Sequence, residues 1–525
     1  MIVRSPYPDV EIPDVSLPAY VLERAAELGD KPALIDGPTG RTLRYGELVT
    51  AVRRAAGGLA ARGLAKGEVV GIFAPNVPEW AIVFHAVGRL GGVNTTVNSL
   101  GTEQDLAEQL QDAGARFLVT VPPFLDRAVP AAAKAGVEEV FVLGEAEGAT
   151  PFSSLLARDA EPPTVDIDPD RDLVALPYSS GTTGLPKGVM LTHRNLVANV
   201  CQTEAVQRIE PSDTLIGVLP FFHIYGMTVV LNLALRRGAT VVTMPRFELE
   251  PFLGLLHEHR VTRGYLVPPI VLALAKHPAV EGYDLSSLHV IMSGAAPLDA
   301  ELAAACAERV GCRVVQGYGL TETSPVTHAS GDREGEGRPG SIGPPVPNTE
   351  CRVVDWGTGE DQEVGRDGEL CIRGPQVMIG YLNSPSATAN TIDPDGWLHT
   401  GDVGHVDQDG YFYVVDRLKE LIKYKGYQVP PAELEAVLIG HPAVTDAAVI
   451  PSADPEAGEV PKAFVVARAE VSAEELMAFV AERVAPYKRV RKVEFVEQIP
   501  KSASGKILRR MLVEQERAGT EPSAG

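Results

Sequence analysis

The chemistry-bearing residues of this chain are densest in Tyr178-Ser-Ser-Gly-Thr-Thr-Gly-Leu-Pro-Lys-Gly188, where hydroxyls, glycines and a lysine stand almost side by side. Glycine reaches positive φ without steric cost and lets a ligand approach the backbone closely. Successive N–H groups in such a loop form a concave anion site. Ser179, Ser180, Thr182 and Thr183 add donors, Gly181 and Gly184 add freedom, and Lys187 adds a mobile positive charge. Together they suit a polyphosphate. The stretch is not a Walker loop, because Pro186 stands where a glycine should precede the lysine and Gly188 where serine or threonine should follow. Apolar runs at 173–178 and 189–191 read as strand–loop–strand, where a Walker loop would lead into a helix.

The elements that must position this loop alternate in type. Stretches 45–64, 78–90, 102–113 and 123–135 carry helical periodicity, and 69–74, 117–121 and 140–143 read as strands between them. Such alternation predicts βαβ units and parallel sheet covered on both faces. After the loop, Thr192 N-caps a helix from His193. Strands at 215–219, 239–244, 288–292 and 314–316 then alternate with helices at 250–259, 270–277 and 298–310. Phe221-Phe-His-Ile-Tyr-Gly226, Ser293-Gly-Ala-Ala-Pro297 and Gly317-Tyr-Gly-Leu-Thr-Glu-Thr323 each fall just past a strand. Open α/β sheets place their ligands at those carboxyl ends.

The Gly-, Glu- and Arg-rich stretch 331–343 reads as a mobile loop. Residues 350–354, 368–373 and 410–415 look like hairpin material, a change to antiparallel sheet. Asp407-Gln-Asp409-Gly410 reads as a hairpin turn, since a calcium loop would need a glutamate at its twelfth position. Beyond Asp416 a smaller α+β unit begins, with Ser472 and Glu475 as the capping box of its helix from Ala473. The expected division is 1–416, a large domain of α/β layers with a barrel-like antiparallel part, and 417–525, a small C-terminal domain.

Net charge is −22 with a pI near 5.0, which opposes non-specific binding to nucleic acid or to anionic membranes. Any polyphosphate must therefore be held by local cations and backbone donors. No apolar run is long enough to span a bilayer, and the N-terminus lacks the pattern of a signal peptide. Cys201, Cys306, Cys312, Cys351 and Cys371 show neither metal-ligand spacing nor a disulfide framework. The expectation is a cytoplasmic monomer or homodimer that acts on small molecules.

The loop at 178–188 combined with Tyr318-Gly-Leu-Thr-Glu322, Thr400-Gly-Asp402, Asp416-Arg417 and Ser504-Gly-Lys506 resembles the acyl-adenylate-forming superfamily of acyl-CoA synthetases, luciferases and adenylation domains. The motifs stand in family order over nearly the whole chain. Pro220-Phe-Phe-His-Ile-Tyr-Gly226 and Lys419-Glu-Leu-Ile-Lys-Tyr-Lys-Gly-Tyr-Gln428 are most similar to 4-coumarate–CoA ligases. The resemblance implies that a carboxylic acid and Mg·ATP give an acyl-adenylate and pyrophosphate, after which the thiol of coenzyme A displaces AMP. The acid implied is a cinnamate or coumarate. The alternatives are a medium-chain fatty acid, or a ligase loading a separate carrier protein. A luciferase-like oxygenase and a non-catalytic ATP sensor are the more distant readings. Glu322 and Lys506, whose loss would favour a sensor, are both present.

By the same resemblance, Ser179, Ser180, Gly181, Thr182, Thr183, Gly184 and Lys187 bind the ATP phosphates, and Glu322 beside Thr321 holds Mg²⁺. Ala295, Ala296, Pro297, Gly317, Tyr318 and Gly319 enclose the adenine, while Asp402 and Arg417 hold the ribose. Lys506 is the catalytic cation of the first step, assisted by Lys423 and Gln428. The small domain turns about Lys419, so that Tyr424, Lys425 and Gly426 replace Lys506 and line the pantetheine channel. His223 closes the acid pocket, which Tyr225, Thr228, Met292, Ala295, Gly319, Pro325 and Val326 line. Plant coumarate ligases carry asparagine at the position of Thr228 and lysine at that of Met292. The apolar Met292 implies a pocket that discriminates less strongly for a ring hydroxyl.

Overall fold

A computed structural model describes residues 1–157, 161–179, 186–333, 335–425, 427–502 and 505–520, with the backbone alone for 517–520. Parallel strands buried on both faces build the larger layers. Val69–Phe73 lies between Val93–Thr96 and Ala115–Thr120 in one sheet. Val290–Ser293 lies between Arg263–Leu266 and Arg313–Gly319 in a second. Strands covered by helices on both sides read as unbroken apolar runs, which is why they were legible. The helix Tyr45–Ala61 shows the complementary pattern, burying Leu48, Val52, Ala55, Ala56 and Leu59 along one stripe. Thr192 caps the helix His193–Val206 by accepting from the Asn195 amide.

The described ends of the 178–188 segment are both strand, within Tyr178–Ser179 and Lys187–Thr192. Tyr178 pairs antiparallel with Gly188 and Ser179 with Lys187, and Gly380–Tyr381 joins the far side of Lys187–Thr192. Ser180, Gly181, Thr182, Thr183, Gly184 and Gly426 lie outside the described residues.

The structure adds elements to the expected set and corrects one expectation. Leu398–Val406 is a strand of the antiparallel sheet, and Thr400-Gly-Asp402 lies within it. That sheet also takes in Ile2–Arg4, paired with Glu350–Val354 across nearly the whole large domain. The segment at 226–237 is helical, as Gly226–Asn232 and Leu233–Arg237. Its residues from Gly226 to Leu235 are buried all round, so it carries no amphipathic period to read. The 331–343 segment is not loose. Asp332 is buried and ion-paired with Arg263 at 2.7 Å, and Glu336 is paired with Arg208 at 2.9 Å. Those arginines come from far upstream, so local composition could not reveal them. The Asp407 turn is held by Arg338, which reaches Asp407 at 2.7 Å and Asp409 at 2.6 Å.

Phe412–Arg417 closes the antiparallel sheet, with Arg417 opposite Asp402. The chain then enters the last sheet, in which Val444–Asp454 and Gly458–Ala467 form the long hairpin, Val444–Asp454 at its edge. Its core of Ile422, Val429, Leu434, Val449 and Val465 is separate from the larger one. No described helix is long and apolar enough to cross a membrane.

Candidate active site

A cavity of about 1260 Å³ opens where the carboxyl ends of the second sheet meet the antiparallel sheet and the C-terminal unit. Its wall takes Gly294 and Ala295 from the end of Val290–Ser293, and Gly317, Tyr318 and Gly319 from the end of Arg313–Gly319. Ser179 and Lys187 enter from the antiparallel pair, and Lys506 from the C-terminal unit. Gly319 is required by space, since a Cβ there would lie 1.8 Å from the Pro325 carbonyl oxygen. Ala295 holds a positive φ of 70° despite its side chain.

Glu322 is buried, and its Oε1 accepts from Ser179 Oγ and from Tyr381 OH, both at 2.8 Å. Lys187 Nζ stands 5.5 Å from the Tyr381 ring centre. Sequence reasoning missed Tyr381. It lies 59 positions from Glu322, and the pairing of Gly380–Tyr381 with Lys187–Thr192, with the Met378 amide on the Glu322 carbonyl, brings it near.

Tyr318 and Arg417 line the other side of the cavity, and Asp402, itself outside the lining, is buried against both. Tyr318 donates to Asp402 Oδ2 at 2.6 Å, and Arg417 Nε lies 3.2 Å from Oδ1. Burial, and after it the Asp402 charge, pushes the Tyr318 phenol far above its usual range, so it stays a donor. Burial works against the Arg417 charge, but Asp402 and Glu420 outweigh it and hold the guanidinium protonated.

Lys506 approaches this pair from the C-terminal unit. Gly505 takes a φ of 77° and packs on Val267 and Pro269 of the large domain, which turns Lys506 toward Arg417, Lys419 and Asp402. Burial, then the Arg417 charge, lowers the Lys506 amine to about 8. Behind it, Arg509 bonds Glu420 at 2.7 Å and Glu435 at 2.6 Å. His223 lines the same cavity. Burial, with the Lys506 charge second, lowers its imidazole to about 4, so it is neutral at physiological pH.

Phe222, Tyr225, Met292, Pro325 and Val326 form an apolar recess beside His223. Tyr225 OH donates to the Met292 carbonyl at 3.1 Å. Thr228, expected in this wall, is instead buried within Gly226–Asn232 and absent from the cavity lining. Thr321 lines the cavity, while Ala296 and Pro297 stand outside it on the turn after Val290–Ser293. Lys423 and Gln428 face each other across the hairpin of Ile422–Tyr424 and Tyr427–Val429, away from the cavity with Tyr424 and Lys425. Lys419 lines it at the join between the two units.

Comparisons with known proteins agree with this architecture. Residues 21–382 match the model of the AMP-binding enzyme family, and residues 433–506 match the AMP-binding enzyme C-terminal domain. The chain is 46% identical to 4-coumarate–CoA ligase 3 of Oryza sativa subsp. japonica, over 98% of this chain and 94% of that one. It is 45% identical to the 4-coumarate–CoA ligase of Pinus taeda, over 97% and 96%. Among solved structures, an anthranilate CoA ligase in complex with anthranoyl-AMP superposes with a TM-score of 0.90 at 27% identity, covering 98% of this chain and 99% of that one. ATP-bound MatB from Rhodopseudomonas palustris superposes at 0.86 with 30% identity, covering 97% and 100%.

Proposed function

The chain belongs to the AMP-binding enzyme family, and from that premise we propose the division of labour within its cavity. The enzyme is an ATP-dependent acid–thiol ligase that activates an aryl carboxylic acid of the cinnamate type as its acyl-adenylate. Coenzyme A is the thiol acceptor. The observation that carries this reading is the meeting of Lys506, Tyr318, Arg417 and Glu322 around one cavity with an apolar recess, Asp402 being bonded to Tyr318 and Arg417.

In the first step a carboxylate oxygen bonds to the α-phosphorus of ATP, and pyrophosphate leaves with the electron pair of the broken P–O bond. Two anions approach each other, so preorganised positive charge is the main requirement. Lys506 supplies it at the α-phosphate. Tyr318 stacks on the adenine, and Asp402 accepts from the ribose hydroxyls. The 178–188 loop, through Lys187 and its backbone donors, receives the pyrophosphate. A hard cation takes a carboxylate together with substrate oxygens. Among the described residues, both hydroxyls on Glu322 bond to Oε1, which leaves Oε2 for Mg²⁺. The ion when bound offsets phosphate charge.

In the second step the thiolate attacks the acyl carbon, and AMP departs with its phosphate oxygen. For this the C-terminal unit, expected from residue 417 but beginning beyond the strand Phe412–Arg417, turns about Lys419. Lys506 withdraws, and Tyr424 and Lys425 line the path of the pantetheine arm, with Lys423 and Gln428 serving the adenylation arrangement. Neutral His223 screens the acid from the thiol path during adenylation.

Tyr225 is already bonded to the backbone, and Met292 offers no fixed donor, so little in the recess demands a ring hydroxyl. A site loses selectivity when no buried polar group is stranded by the wrong substrate. A panel of cinnamate, coumarate, benzoate and octanoate, read as AMP formed with ATP, magnesium and coenzyme A, is expected to rank cinnamate within a hundredfold of coumarate. A larger gap, or octanoate first, overturns the aryl reading.

A further inference from the structure

The strand that carries Asp402 does not hold itself straight. Gly368–Arg373 pairs with Leu398–Val406, but the register slips between Cys371, opposite His399, and Glu369, opposite Val403. Residues 400–402 thus bulge against a shorter partner, and a bulge leaves backbone groups without ladder bonds. Side chains take those bonds over. Glu369 Oε1 accepts from the Gly401 amide at 2.9 Å. Thr400 Oγ1 donates to the Leu370 carbonyl at 2.8 Å and accepts from the Asp402 amide at 3.0 Å. Glu369 Oε2 lies 2.9 Å from His399 Nδ1, and that nitrogen is 3.5 Å from Cys371 Sγ.

From this geometry we propose that Glu369 is a positioning residue for the nucleotide site, fixing through Gly401 and His399 the bulge from which Asp402 projects. The inference rests on the reading of Asp402 as the ribose ligand. Glu369 is largely buried, and a buried carboxylate needs a partner charge. His399 supplies it. Hydrogen bonds to Cys371 and Glu369 raise its imidazole to about 10, so His399 stays protonated through neutral pH. Asp393 lies 3.8 Å from Nε2, while the Arg352 charge acts on the Cys371 thiol. The donor atoms of Glu369, Cys371 and His399 lie within 4.8 Å of one another, a spacing a soft cation such as zinc would also fit. Both Glu369 oxygens are already engaged, one by an amide that a metal cannot replace, and this favours the proton-held network.

The test compares Glu369→Ala, Glu369→Gln and Asp402→Ala in acid-dependent pyrophosphate exchange. Glu369→Ala is expected to raise the ATP KM about tenfold while the acid KM moves less than twofold. Glu369→Gln still accepts from Gly401 and should stay within threefold of wild type at pH 6. Without the carboxylate, His399 falls back toward its ordinary range, so the ATP KM of Glu369→Gln should climb between pH 6 and 8 while the wild type stays level. An unchanged ATP KM in Glu369→Ala overturns the proposal. So does a rise in both KM values together with a lowered melting midpoint, which marks a merely structural residue. Stoichiometric zinc in the wild type that is lost in Glu369→Ala overturns it in favour of a metal site. If Asp402→Ala leaves the ATP KM unchanged, the ribose reading itself fails. If only Glu369→Ala is silent, this inference fails alone.

Discussion

The two cationic arms of the cavity are mounted differently. Arg417 ends a strand of the antiparallel sheet and is paired with the buried Asp402, which Tyr318 holds from a second sheet. Lys506 instead sits on a turn of the C-terminal unit. Its amide donates to Ser502 Oγ at 3.1 Å and its carbonyl accepts from the Ser502 amide at 2.8 Å. Its contact with the large domain runs through the packing of Gly505 on Val267 and Pro269. The Asp402 side is thus fixed by interlocked buried bonds, whereas Lys506, which the proposed mechanism needs at the α-phosphate and then withdraws, is mounted on a separate unit. Binding groups gain from rigidity. A group used in one step and unwanted in the next gains from a removable mount.

The sharpest way to break this contrast is Lys506→Ala. Removing one preorganised donor to a developing phosphoryl charge costs about 10²–10³ in rate. That loss should fall on pyrophosphate exchange alone, with thioester formation from supplied acyl-adenylate kept within threefold. Equal loss in both half-reactions would mean that Lys506 does not withdraw.

Asp402→Ala probes the fixed arm and should act on binding. Hydrogen bonds to a charged group contribute about 2 kcal/mol, so the ATP KM should rise roughly thirtyfold with a smaller change in kcat. A fall in kcat at unchanged KM would place Asp402 in the chemistry and erase the division between the arms.

The contrast also explains what could be read from the sequence. Gly505 beside Lys506 announced a tight turn, and the alternating apolar runs announced the α/β layers. Asp402 was recognisable by its motif, yet its strand was not, because Thr400 and Gly401 look like turn residues until Glu369 and Leu370 are seen to take their bonds. Tyr381 and Glu369 gave no local signal, since each acquires its partners only through sheet pairing. The helical stretch at 226–237 was illegible for the opposite reason, being buried on every face as far as Leu235. Composition misled at 331–343, where Arg208 and Arg263 tether residues that look solvent-loving.

The smallest expected effect, and the most diagnostic, is on pH. Burial and the neighbouring Arg417 lower the Lys506 amine to about 8, so it is charged below that pH and neutral above it. In the proposed mechanism adenylation needs the cation, so kcat/KM for pyrophosphate exchange should fall several-fold between pH 8 and 9, approaching tenfold per unit beyond. Bound polyphosphate favours the protonated amine, which shifts the same limb in kcat to higher pH. Thioester formation from supplied acyl-adenylate should hold or rise over this range, because the attacking thiol ionises there. Lys506→Arg, slower as it would be for its different shape, carries a charge that does not titrate and should lose the limb. An alkaline limb shared by both half-reactions, or retained in Lys506→Arg, would assign it to another group and leave the removable arm without its electrostatic signature.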